Sequence, residues 1–175
     1  MILPSGSFPH GSSSCPDGNV WFAMNTANKI AYVTPAGTWA SFVLPQSNSH
    51  PFTTACVASD NGTYFTEMAV NKIARIDRTT HVIQQWTVCC NTTPKGIAIG
   101  LDSNVYFALS AVNKIAFMPL GGGTITTLLV PTPATAPNKV NLGPDGLIWF
   151  SEHDQPNVGQ VLGSGLLLLG TRQEP

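Results

Sequence analysis

An aromatic residue followed by phenylalanine recurs four times in this chain, as Trp21-Phe22, Tyr64-Phe65, Tyr106-Phe107 and Trp149-Phe150, at spacings of 43, 42 and 43 residues. An aspartate stands four residues before each pair, at Asp17, Asp60, Asp102 and Asp145. Nine residues after each first aromatic comes a branched apolar residue: Ile30, Ile73, Ile115 and Val158. Three copies carry Asn-Lys just before it, at Asn28-Lys29, Asn71-Lys72 and Asn113-Lys114. Several positions held in register over four copies define an internal repeat, and that repeat limits the folds open to the chain.

Each copy reads as four short strands. Gly96-Ile97-Ala98-Ile99 represents the first, followed by a turn on the aspartate, and the aromatic-Phe segment is the second. The polar turn ending in Asn-Lys leads to a third strand such as Ile73-Ala74-Arg75-Ile76, with alternating apolar positions. A Gly- or Thr-rich turn then opens a fourth, such as Trp39-Ala40-Ser41-Phe42-Val43. A four-stranded unit of about 40–45 residues is the blade of a β-propeller. One small sheet cannot bury both faces alone, whereas stacked blades bury each other's aromatic and branched side chains. The predicted fold is therefore an all-β propeller in a single domain spanning 1–175, with repeats near 9–50, 51–93, 94–136 and 137–175.

Composition agrees. With 16 Gly, 14 Pro, 43% hydrophobic and only 10% charged residues, the chain suits a turn-rich β-domain and argues against disorder. A net charge of −1 without a basic stripe argues against nucleic acid as a partner. The apolar run Leu166-Leu167-Leu168-Leu169 is far short of the roughly 20 residues a membrane helix needs, so no membrane partner is expected. Met1 to Gly6 shows neither a basic nor an apolar leader region, so no signal peptide is visible. Cys15, Cys56, Cys89 and Cys90 have no zinc spacing, and their disulfide state is left open. Two sequons, Asn61-Gly62-Thr63 and Asn91-Thr92-Thr93, lean toward an extracellular setting.

The segment from Met1 to Pro9 resembles the blade junctions ending at Pro51 and Pro137, so the chain reads as starting inside an outer strand. Three arrangements fit: an incomplete ring, a self-closed four-bladed ring, and closure by oligomerisation. Arg172-Gln173-Glu174-Pro175 reads as a frayed tail.

Pro144-Asp145-Gly146-Leu147-Ile148-Trp149-Phe150-Ser151-Glu152, Pro94-Lys95-Gly96-Ile97 and Asn71-Lys72-Ile73-Ala74-Arg75-Ile76 together resemble the repeat of the streptogramin B (virginiamycin B) lyases. The resemblance covers residues 9–161 and implies a relative of a seven-bladed propeller. It departs in one systematic way: the family's Gly after Ile is Ala31, Ala74 and Ala116, and only Gly159 keeps it. The implied chemistry is a Mg²⁺-assisted elimination that linearises a cyclic depsipeptide antibiotic, with a histidine base and the metal stabilising enolate-like charge. Phe8-Pro9-His10-Gly11 and Trp21-Phe22-Ala23-Met24-Asn25 occupy the family's catalytic pattern. His10 matches the base, but Phe8 and Asn25 replace the two metal carboxylates, which puts Mg²⁺ in doubt as a cofactor.

Glu67 and Glu152 follow their aromatic-Phe strands at equal offsets and are the remaining candidates for a metal. The plainer reading is that repeat symmetry alone puts them there. His153 and Asp154 beside Glu152 form a tempting cluster, yet consecutive strand residues point to opposite faces, so the three converge only in a loop. The four aspartates read as turn formers and Lys29, Lys72 and Lys114 as solvated turn residues. Trp21 and Trp149 read as inter-blade core, each costing about 3–5 kcal/mol on truncation to Ala. Three functions remain open: a lyase-like propeller with a degraded site, a non-catalytic module binding a small-molecule or peptide-like ligand on the top face, and a gluconolactonase-type hydrolase. The last needs Glu, Asn and Asp to converge, with Glu67 or Glu152 and Asn113 as its candidates.

Overall fold

The computed structural model describes residues 3–162 and the backbone of 166–169. Expectations placed on Met1, Ile2 and the tail from Arg172 to Pro175 lie outside the described residues. The chain forms two compact units, Met1–Cys89 and Cys90–Pro175. The first holds the sheet β1 (Pro9–Ser14), β2 (Val20–Met24), β3 (Lys29–Val33), β4 (Trp39–Val43) and the sheet β5 (Pro51–Cys56), β6 (Gly62–Glu67), β7 (Lys72–Asp77), β8 (Ile83–Thr87). The second holds β9 (Pro94–Ile99), β10 (Asn104–Leu109), β11 (Lys114–Pro119), β12 (Thr126–Leu129) and β13 (Pro137–Leu142), β14 (Ile148–Glu152), β15 (Asn157–Leu162), β16 (Leu166–Leu169). Every sheet is an antiparallel meander in chain order, and each opens on a proline. No helix among the described residues is long and apolar enough to cross a membrane.

The aromatic-Phe pair supplies both faces of a sheet, because adjacent strand residues point opposite ways. Trp21 packs in one cluster with Phe65, Ala74 and Ile76 of the following sheet, while Phe22 joins Met24 and Ala31 on the other side. In the second unit Tyr106 packs with Val140, Ile148, Phe150 and Val161. The first aromatic thus reaches forward and the Phe backward. Across each sheet the Phe lies opposite a small residue: Phe22 faces Ala31, Phe65 faces Ala74, Phe107 faces Ala116 and Phe150 faces Gly159.

The aspartates do more than form turns. Each accepts a backbone N–H two residues on, from Asn19, Gly62, Asn104 and Leu147, and also a hydrogen bond from the aromatic four residues on. Trp21 Nε1 donates to Asp17 at 2.9 Å, Tyr106 Oη to Asp102 at 2.7 Å, Trp149 Nε1 to Asp145 at 3.1 Å, and Tyr64 Oη to Asp60. A ring buried between sheets therefore keeps its polar atom satisfied. Burial pushes Asp17 and Asp102 up, but these hydrogen bonds prevail and hold both carboxyls below their ordinary value.

The Asn of Asn-Lys is a clasp. Asn28, Asn71 and Asn113 adopt left-handed φ values of 55–56°, and their carbonyls accept the N–H of Leu44, Val88 and Val130 just past the outer strand. Asn28 Oδ1 also accepts Ser49 N–H at 2.7 Å, and Asn113 Oδ1 accepts Thr135 N–H at 3.0 Å. These hold the junctions to the next sheet, which share one pattern, a Ser or Thr two residues before the proline: Gly6-Ser7-Phe8-Pro9, Asn48-Ser49-His50-Pro51, Asn91-Thr92-Thr93-Pro94 and Ala134-Thr135-Ala136-Pro137. The Ser or Thr is buried in every copy, and both flanking residues have positive φ. The lysines open β3, β7 and β11 half-buried instead of lying in solvated turns, and Lys72 Nζ donates to Gln85.

Cys15 and Cys56 form a disulfide joining the first two sheets, whereas Cys89 and Cys90 are free and exposed. Trp149 departs from expectation: Trp21 is fully buried, but Trp149 is half-buried. Its sheet is the last described, and no following sheet covers that face among the described residues. Trp21→Ala is expected to cost about 3–5 kcal/mol and Trp149→Ala only about 1–2 kcal/mol in urea unfolding. At Gly96 an added Cβ would lie 2.4 Å from the Asn138 carbonyl oxygen and 2.6 Å from Val140 N, both backbone atoms of β13. Gly96→Ala should accordingly destabilise by about 1–3 kcal/mol, read from the shift in urea midpoint.

Candidate functional site

The junctions place side chains at the mouth of each pair of sheets. In the first unit they carry Phe8 and His50, with φ of 41° and 47° although each precedes a proline, which ordinarily holds its predecessor in extended backbone. Asn25, just past β2, stitches the two together. Its N–H donates to the Phe8 carbonyl at 3.1 Å, its Nδ2 to the Pro51 carbonyl at 3.0 Å, and its Oδ1 meets His50 Nδ1 at 3.1 Å. An amide oxygen only accepts, so Nδ1 of His50 carries the proton in this bond and the lone pair of the neutral ring sits on Nε2.

His10 stands exposed one residue into β1 and packs in a tilted arrangement against Phe52 of β5, with ring centroids 4.7 Å apart and planes 34° apart. Gly11 makes this approach possible, since a Cβ there would lie 2.1 Å from Thr53 Oγ1. Phe8, two residues before His10, is 65% exposed. Asn25 thus joins the Phe8 and His50 junctions, and the His10–Phe52 pair follows two residues after each, at the same end of the first unit's sheets. His50 and Phe52 were missed in the sequence because His50-Pro51-Phe52-Thr53 lacks the Gly of Phe8-Pro9-His10-Gly11. Alignment on the junction proline would have found them.

Glu67 is fully buried within its sheet, its two oxygens accepting from Gln85 Nε2 at 2.9 and 2.7 Å. Burial pushes its carboxyl above the ordinary range, against the hydrogen bonds of Gln85 and Ser49 and the charge of Lys72. In the second unit Glu152 is also buried, with Oε2 accepting from Asn157 at 3.1 Å and Oε1 without a hydrogen-bond partner among the described residues. His153 and Asp154 are exposed and pair with each other at 2.7 Å, so the three residues do not converge. Asn113 is spent on its clasp, donating to the Val130 and Thr132 carbonyls. The second unit carries its own open cleft of about 430 Å³, lined by Thr93, Lys95, Ser110, Ala136 and Asp154 among others.

The chain matches the Virginiamycin B lyase family over residues 2–168. It belongs to that family. Among solved structures, selenomethionine-substituted virginiamycin B lyase from Staphylococcus aureus superimposes with a TM-score of 0.91 at 27% identity, covering 100% of this chain and 59% of that one. A catalytically inactive variant of the same enzyme with quinupristin gives 0.89 at 28%, covering 97% and 57%. A streptogramin B lyase structure gives 0.88 at 26%, covering 97% and 56%. No protein of curated function matches the sequence. The fold is that of these all-β propellers, and the chain spans less than two thirds of their length.

The family uses Mg²⁺, and the residues present here do not fit that ion. Among the described residues no three His, Cys, Asp or Glu are grouped to hold a metal. Phe8 offers no ligand atom, and the one oxygen of Asn25 is engaged by His50. The candidate carboxylate in the first unit, Glu67, is buried in its sheet and held by Gln85.

Protonated Glu67 is the form the fold prefers. Its contribution to stability should be full below about pH 4 and fall as pH rises above the ordinary glutamate value. Glu67→Gln should therefore gain on the wild type between pH 4 and pH 7 in urea unfolding.

Proposed function

We propose that this chain is a ligand-binding member of the virginiamycin B lyase family that does not perform magnesium-assisted elimination. The observation that supports it is the clasp at Asn25: the residue in the place of a metal carboxylate is neutral, and its oxygen is engaged by His50 Nδ1. Elimination from an ester needs a base for the α-proton and an electrophile for the charge that develops on the carbonyl oxygen. A base is present twice, at His10 and at Nε2 of His50. Among the described residues no set of side chains at this end is free to hold the electrophile, since Phe8 has no side-chain ligand atom and the Asn25 oxygen is engaged; a metal acting as Lewis acid would supply several kcal/mol of such stabilisation.

What remains is a recognition surface. Exposed Phe8 and the tilted His10–Phe52 ring pair offer aromatic surface at this end of the first unit, and His50 Nε2 offers a hydrogen-bond acceptor. A peptide-like small molecule with an aromatic or apolar ring and a nearby N–H donor has the complementary chemistry. Cyclic depsipeptides of the streptogramin B class fall within that description. A gluconolactonase-type hydrolysis draws no support, because Asn113 and Glu67 are both committed to structural hydrogen bonds.

The test is titration of the purified chain with a streptogramin B, with and without Mg²⁺, followed by mass analysis of the antibiotic. Binding is expected to be unaffected by Mg²⁺, to leave the ring closed and to weaken about tenfold in His10→Ala. Mg²⁺-dependent linearisation would overturn the proposal, and so would failure to bind any of a panel of cyclic depsipeptides.

A further inference from the structure

The two sequons end in unlike surroundings. Asn61 is half-buried, and its Nδ2 donates to Thr79 Oγ1 at 2.9 Å and to Asp77 Oδ1 at 3.4 Å, so both amide protons are in use. Its backbone carbonyl accepts the backbone N–H of Arg78, a residue only 9% exposed. Asn91 is exposed, and among the described residues its side-chain amide makes no hydrogen bond. It sits at φ 54° in the junction before β9, two residues from Thr93 on the rim of the second unit's cleft. An independent observation bears on the compartment: the Cys15–Cys56 disulfide lies among buried residues of the first unit, and such bonds form and persist in oxidising environments.

We infer that the chain matures in an oxidising secretory compartment and takes an N-linked oligosaccharide on Asn91 and not on Asn61. In that step the amide nitrogen of Asn91 forms a bond to the anomeric carbon of an oligosaccharide carried on a lipid pyrophosphate. The sugar–phosphate bond breaks, the lipid pyrophosphate leaves, and the amide gives up one proton. At Asn91 the proton lost is engaged in no hydrogen bond among the described residues, and the exposed side chain leaves the sugar room in solvent. At Asn61 the same substitution would remove a donor from Asp77 or Thr79 and place a sugar against the Asp77–Thr79 turn that Nδ2 contacts. The glycan would flank the cleft lined by Thr93 and Lys95 while leaving the buried sheet faces untouched.

The experiment expresses the full chain behind a secretory leader in yeast, as wild type, Asn61→Gln, Asn91→Gln and Thr93→Ala. Peptide N-glycosidase in ¹⁸O-water then marks each glycan-bearing asparagine as labelled aspartate, read in both the medium and the membrane fraction. Label is expected at Asn91 alone, retained in Asn61→Gln and lost in both other variants, with Cys15 and Cys56 linked in the non-reduced peptide map. Label at Asn61, an unlabelled chain in both fractions, or free thiols at Cys15 and Cys56 would each overturn the inference.

Discussion

A hydrogen bond across four residues, from a buried indole or phenol to an aspartate, underlies each sheet. Two sheets pack well only if a large ring lies between them, and Trp and Tyr offer the largest rings. Each also brings one polar atom that is costly to bury unpaired, by about 1–3 kcal/mol. The aspartate solves this locally, because the turn it makes with its own i+2 N–H points the carboxylate back at the ring. Sheet formation, turn formation and inter-sheet packing therefore depend on the same side chain. This explains why the repeat shows most clearly as Asp and aromatic at a fixed offset, while the turn residues between them vary.

The second constraint is how one sheet hands over to the next. A meander ends at its outer strand and the following sheet begins at its inner strand, so the chain has to cross back over the mouth. The crossing is made by a buried Ser or Thr between two residues of positive φ, each costing of order 1–3 kcal/mol where it is not Gly. The clasp of Asn28 or Asn113 on that Ser or Thr holds the strained backbone in place. The same crossing sets Phe8 and His50 at the mouth, so the candidate site is a by-product of the handover.

Much of this was legible in the sequence. Trp21-Phe22 and its three relatives marked the sheets, and Pro9, Pro51, Pro94 and Pro137 marked their starts. The Ala or Gly after the third-strand Ile was noted only as a departure; its meaning, room for the Phe opposite, needs the register of the strands. His10 and Asn25 could be singled out because they sit on a recognisable motif. His50 lies on no such motif: aligning the junction prolines would place it beside Phe8, but its contact with Asn25, 25 residues earlier in the turn after β2, shows only in the fold. The burial of Glu67 was hidden for a similar reason: Gln85 lies on the outer strand, and nothing in linear spacing links the two. Trp149 shows the limit of repeat logic. Its local sequence is that of Trp21, but burial depends on a neighbour and not on the copy itself.

The triple engagement of Asn25 has a consequence for how such a site changes over generations. The residue joins two sheets through its backbone and both ends of its amide. A carboxylate in its place would set one oxygen against the Pro51 carbonyl and lose that bond, and without a second anion from position 8 it would gain no metal in return. Lyase-like and lyase-unlike forms of this mouth are therefore separated by a less stable single-substitution intermediate. The exchange works as a ratchet, in which chemistry once replaced by cohesion is hard to regain one residue at a time.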